Sequence, residues 1–198
     1  MKKSIIKAAA LALALFAAVL CLGACGNGSA ITEEIETRPM PEGMTFGDLC
    51  GILSVYDRQV LLPCTMEDII ALDERISRDP QHELQFILST NRNAAMTYLP
   101  SSGANSSSYF NTVMIWARDE TYKTDLFAVN DIKFGSDISA VKNLLGEPVS
   151  VTSSGVFGGS DFHYAYVEGD AALRLWFIGN AGGKLCAAQL MYTKWTKV

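Results

Sequence analysis

The chain has 198 residues, 21 acidic against 16 basic side chains, a net charge of −5 and 49% hydrophobic residues, so a packed body is expected rather than a disordered chain. Apart from Lys2, Lys3 and Lys7 the basic residues are dispersed, which argues against nucleic acid and anionic headgroups as partners of the surface, since both attract clustered Lys and Arg. There are two histidines and no Cys-x2-Cys or paired-His spacing, so neither a metal centre nor a cofactor is expected.

In chain order, the three lysines precede an unbroken apolar run, Ala8 to Leu22, closed by Gly23 and Ala24, the layout of an export signal. The run is shorter than the roughly 20 residues a membrane-spanning helix needs. Its ending, Leu22-Gly23-Ala24-Cys25, resembles the lipobox of bacterial lipoproteins. That resemblance implies cleavage before Cys25, acylation of Cys25, and attachment of the exported chain to the cell membrane, or to an outer membrane if the cell has one. Two or three acyl chains hold a protein on a membrane persistently, whereas one binds marginally. Residues 1–24 then form the signal, and the remaining chain carries 13 basic and 21 acidic side chains, a net charge of −8.

Residues 25–44 contain Pro39, Pro41, several glycines and the acids Glu33, Glu34 and Glu36, a tether composition. The folded body is expected from Thr45. Cys50, Cys64 and Cys186 remain after the signal and the anchor. A Cys50–Cys64 disulfide is a candidate that export permits; unpaired, the thiols serve as small buried hydrophobes.

An N-terminal α+β unit is expected over 45–130. Val60-Leu61-Leu62 is a β-prone run before Pro63, and Thr65 with Asp68 forms a capping-box pattern opening a helix. Met66, Ile69, Ile70, Leu72 and Ile76 form its apolar stripe, leaving Glu67, Asp68, Asp73 and Glu74 to water. Strands are expected at Leu84–Leu88, Ala94–Leu99, Thr112–Arg118 and Asp125–Val129, an antiparallel meander interrupted by the Ser/Gly/Asn-rich loop Ser101–Ser108.

A second α+β unit is expected over 131–198. Asp137 reads as a helix cap, Ile138, Val141, Leu144 and Leu145 as its apolar face, and Gly146 and Pro148 as its stop. Strands Phe162–Val167, Ala171–Ile178 and Lys184–Tyr192 follow, joined by turns at Glu168–Asp170 and Gly179–Gly183. Gly135, Val141, Leu145-Gly146, Pro148, the "LRLWF" strand and "GGKLCAAQL" together resemble the SmpA/OmlA-type unit over roughly residues 131–192. This helix-plus-meander architecture is shared with β-lactamase-inhibitor proteins and often occurs in tandem. The resemblance implies an α+β fold, a helix followed by an antiparallel meander, in two tandem units packed together, with residues 58–130 as the diverged first copy.

Catalytic patterns fail on geometry. Asp161 and His163, with Ser160 adjacent, would sit two residues apart on one strand face, about 6.6 Å along the chain, too far for a base and its orienting carboxylate. "GNAGGKL" lacks the Ser/Thr and the helix of a phosphate loop and reads as a hairpin turn. What remains is recognition. Alternation sends Leu173, Leu175 and Phe177 to one face of their strand and Arg174 and Trp176 to the other, where His163 and Gln189 on neighbouring strands would join them. Trp and Arg are common interface anchors. The expected function is a non-enzymatic, membrane-anchored envelope lipoprotein that binds a protein or peptide through this sheet face. The alternative is an envelope enzyme or small-ligand-binding lipoprotein with an irregular site.

Overall fold

The computed structural model describes residues 36–80, 85–87, 94–100, 110–117 and 127–194. The export signal, Cys25 and the loop Ser101–Ser108 lie outside the described residues.

Among the described residues the helices are short: α1, Phe46–Cys50; α2, Met66–Ile70; and α3, Ser139–Leu145. The first two start from the same device. Thr45 Oγ1 accepts the Asp48 N–H at 3.1 Å while the Asp48 carboxylate accepts the Thr45 N–H at 2.7 Å. Thr65 and Asp68 repeat this at 3.1 and 2.8 Å. Each pair satisfies N–H groups that a helix start otherwise leaves open. Because α2 stops at Ile70, its apolar stripe is incomplete: Ile69 and Ile76 are buried, Met66 and Leu72 are half-buried, and Ile70 is 43% exposed. Asp137 caps α3 from one residue further back than expected, its carboxylate accepting the Ser139 N–H at 2.9 Å. Ile138, Val141 and Leu145 are buried and Leu144 half-buried. Gly146 ends the helix at φ 81°, a conformation that favours glycine.

The strands form two antiparallel sheets. The smaller contains β1 (Leu53–Val55), β2 (Arg58–Gln59), β7 (Phe127–Val129) and β8 (Ile132–Lys133) in the order β2-β1-β7-β8. The larger, eight-stranded sheet takes in β3 (Ser77–Arg78), β4 (Gln85–Ile87), β5 (Ala94–Pro100), β6 (Phe110–Ala117), β9 (Ser150–Ser153), β10 (Gly158–Glu168), β11 (Ala171–Asn180) and β12 (Leu185–Lys194). Its order is β3-β4-β5-β6-β12-β11-β10-β9. Both orders are unchanged when β1–β6 are exchanged one for one with β7–β12. The registers obey the same exchange. Leu53 pairs with Val129 and Val55 with Phe127, while Val113 pairs with Leu190 and Ile115 with Ala188 around Met114↔Gln189.

Several expectations are corrected here. The α+β expectation is met broadly, but among the described residues antiparallel β predominates and the helices are short, and a hairpin, β1-β2 or β7-β8, precedes α2 or α3 and the strands that follow. Residues 45–130 and 131–194 are joined edge to edge through β1·β7 and β6·β12, and both contribute to one core cluster. Phe127–Val129, expected to close the first meander, leaves the long sheet to pair with β1. Val60–Leu62 forms no strand, although the Val60 N–H reaches the Leu53 carbonyl at 2.9 Å. The end of the expected tether lies on the body: the Arg38 N–H donates to Ala165 O at 2.9 Å, Arg38 Nη2 to Pro148 O at 2.8 Å, and Met40 and Met44 pack against the core.

One cluster forms the core, between one face of the long sheet, the helices and the small sheet. Tyr164, Tyr166, Leu173, Leu175 and Phe177 from β10 and β11 meet Leu49, Leu53, Ile69, Phe127, Val141 and Leu145. Burying each such side chain is worth roughly 1.5–3 kcal/mol. The Tyr164 hydroxyl donates to Gly146 O at 3.0 Å, fastening β10 to the end of α3.

Candidate interaction face

Where all four strands pair, the side chains of β10, β11, β12 and β6 that point away from the core form three cross-strand rows. Asp161, Ile178, Ala187 and Trp116 form the first; His163, Trp176, Gln189 and Met114 the second; Ala165, Arg174, Met191 and Thr112 the third. The continuous register across the four strands brings together the residues that alternation had only assigned to one side. His163 and Gln189 flank Trp176 directly, and Arg174 follows two residues along the same strand.

Exposure changes from row to row. The first is buried throughout, with Asp161 only 3% exposed. In the second His163, Trp176 and Met114 are half-buried and Gln189 is 7% exposed. In the third Arg174 is exposed and Met191 half-buried between the buried Ala165 and Thr112. The imidazole of His163 lies on the indole of Trp176, ring centroids 4.7 Å apart and tilted by 36°. His163 Nε2 is 3.0 Å from Thr152 Oγ1 on β9. Burial holds this histidine below its ordinary pKa of 6.5, so the ring is neutral at pH 7 and acts as an aromatic, hydrogen-bonding group.

Asp161 is the member that sequence reasoning cited only for a failed triad. Desolvation pushes the pKa of its carboxyl up, against the opposing influence of Ser154 and of the Trp176 indole, which favour the charged form. Oδ1 is buried without a hydrogen-bond partner. The register shift between Gly158 and Asp161 sets this position. At Gly159 a Cβ would collide with the carbonyl oxygens of Gly179 and Asn180, so only glycine fits where the two strands close up. With Asp161 buried and His163 hydrogen-bonded to Thr152, these two residues serve the packing of the face. Thr152, Met114 and Trp116 were also missed as neighbours. Alternation on β6 and β9 carries the signal, but only with the register known.

Cys50 and Cys64, the candidate disulfide, are free thiols, as is Cys186, and all three are buried. Cys50 closes α1, whereas Cys64 is held by a two-way backbone bridge to Phe110, at 3.1 and 2.6 Å. Desolvation raises the Cys50 thiol to about 11 and the Cys64 thiol to about 12, so both are protonated and inert at neutral pH. Among the described residues no group of three or more His, Cys, Asp or Glu is placed to hold a metal ion, and no helix is long and apolar enough to cross a membrane.

No family model, no curated protein and no solved structure matches the chain.

Proposed function

We propose that the chain is a lipid-anchored lipoprotein of the bacterial cell envelope, without catalytic activity, that binds a protein or peptide through the face bearing His163, Arg174, Trp176 and Gln189. The observation that carries this reading is the composition of the face. Of its twelve positions only Arg174 presents an exposed charge, and it stands beside a half-buried Trp–His stack and two half-buried methionines. Aromatic, Met and Arg side chains are the types enriched at interfaces, whereas a solvated sheet face carries mixed charges. A partner presenting an apolar ridge with a carboxylate opposite Arg174 fits it.

Two further features support the reading. The symmetric strand order and registers support reading the chain as two diverged hairpin-helix-meander units, the reading that the resemblance of residues 131–192 to the SmpA/OmlA-type unit implies. The basic start, the apolar run and Leu22-Gly23-Ala24-Cys25 support the anchor.

A photoreactive residue at Arg174, compared in cells with one at Lys142 on α3, tests the face. The expected result is a discrete cross-linked species from position 174 that is absent from position 142 and lost in Trp176→Ala. Equal capture from both positions, or none, would return the enzyme or small-ligand alternative. Fatty-acid labelling of the wild type but not of Cys25→Ser tests the anchor separately.

A further inference from the structure

The two ends of the long sheet are finished differently. At one end β3 has two residues, Ser77 and Arg78, followed by Asp79 and Pro80. Short length, charge and proline are the devices that stop a sheet from adding strands. At the other end β9 is exposed at each of its four positions, and residues 148–160 contain no charged side chain. Val151 is 56% exposed and Val156, in the following turn, 39%.

The backbone of β9 is oriented for a further partner. The Ser154 N–H donates to Gly159 O at 2.8 Å, and the register continues through Thr152↔Asp161 and Ser150↔His163. In an antiparallel ladder the bonded positions alternate, so Ser150, Thr152 and Ser154 turn their N–H and C=O groups toward β10, while Val151 and Ser153 turn theirs outward. Among the described residues no strand lies beyond β9.

We propose that β9 pairs antiparallel with β9 of a second copy of this chain, centred on Thr152, so that two eight-stranded sheets become one. Val151 of each copy exchanges two backbone hydrogen bonds with Ser153 of the other, and the two Thr152 side chains lie opposite one another at the symmetry axis. Charge and symmetry select the occupant. A chain of net charge −5 repels its copy over most approaches, and this edge presents no carboxylate. A two-fold contact must also be complementary to itself, which an uncharged strand with alternating free donors and acceptors is. The pairing uses the strand edge and does not depend on the partner-binding face.

The test uses the full chain extracted in detergent, with Thr152→Cys and, as the control at the opposite edge, Ser77→Cys. Cross-strand positions without mutual hydrogen bonds bring Cα atoms to about 4.5 Å, within disulfide reach. Mild oxidation is expected to give a disulfide-linked dimer from position 152 and not from position 77, with the wild type dimeric by light scattering. Ser153→Pro in the Thr152→Cys background removes an outward N–H and is expected to lower the yield at least tenfold without moving the thermal midpoint. Val151→Lys, at an exposed position, should do the same and serves if the proline variant fails to fold. A monomeric wild type, disulfides from both positions, or capture of a different protein at 152 would each overturn the proposal.

Discussion

The two faces of β11 are read from one ten-residue strand yet are built to different standards. Leu173, Leu175 and Phe177 are 0–1% exposed and belong to one continuous core. On the other side Arg174 is exposed and Trp176 half-buried, two residues from a buried carboxyl with an unpartnered oxygen. The comparison teaches that apolar content does not separate the faces. Closeness of packing along β11 does.

That contrast is broken most strongly by deletion. Phe177→Ala is expected to lose about 3–5 kcal/mol in denaturant melts, the range for emptying a core aromatic site. Arg174→Ala on the other face should stay within about 0.5 kcal/mol. Similar losses at both positions would mean that the second face is also core.

A finer comparison lies on β10. Tyr164 and Tyr166 are both fully buried, but Tyr164 donates to Gly146 O whereas the Tyr166 hydroxyl is buried with no hydrogen-bond partner. Tyr164→Phe should cost about 0.5–1.5 kcal/mol, and Tyr166→Phe should be neutral or stabilising. Equal losses by urea titration would show that the Tyr166 hydroxyl is bonded.

The smallest effect is in pH dependence. Desolvation raises Asp161 in the folded state above its ordinary 3.8, so its contribution favours folding below that value and is lost as pH rises through the folded pKa. Relative to Asp161→Asn, the wild type should therefore lose stability as pH rises from about 3.8 upward. The opposite slope would mean that the opposing influence of Ser154 and Trp176 outweighs burial.

The parts legible in the sequence are those whose signal is local. Thr65 with Asp68, and Asp137 with Gly146, announce helix ends by side-chain chemistry, and the alternation in "LRLWF" assigns faces without any knowledge of neighbours. The Thr45–Asp48 box obeys the same rule and marks the start of α1 in the same way. What escaped is non-local or very short. The turn between β1 and β2 uses Tyr56 and Asp57 at positive φ, with no glycine to mark it. β7 looks like one more meander strand until β1 is there to receive it. The segment around Arg38 has the composition of a linker and is fixed by carbonyls of Ala165 and Pro148, more than a hundred residues on. Of the candidate face, alternation placed Arg174 and Trp176. The row His163–Trp176–Gln189–Met114 depends on registers that no single strand encodes.

The central claim, that the Trp176 face is a contact surface and not a second core, is tested most directly by oxidative footprinting of Trp176 in two settings. Hydroxyl-radical labelling is compared between the purified chain and the chain in its native envelope, with Tyr192 on the core side of β12 as the internal reference. The account predicts that Trp176 labels readily in the purified chain and is protected several-fold in the envelope, while Tyr192 is unchanged. Equal labelling of Trp176 in both settings would contradict it.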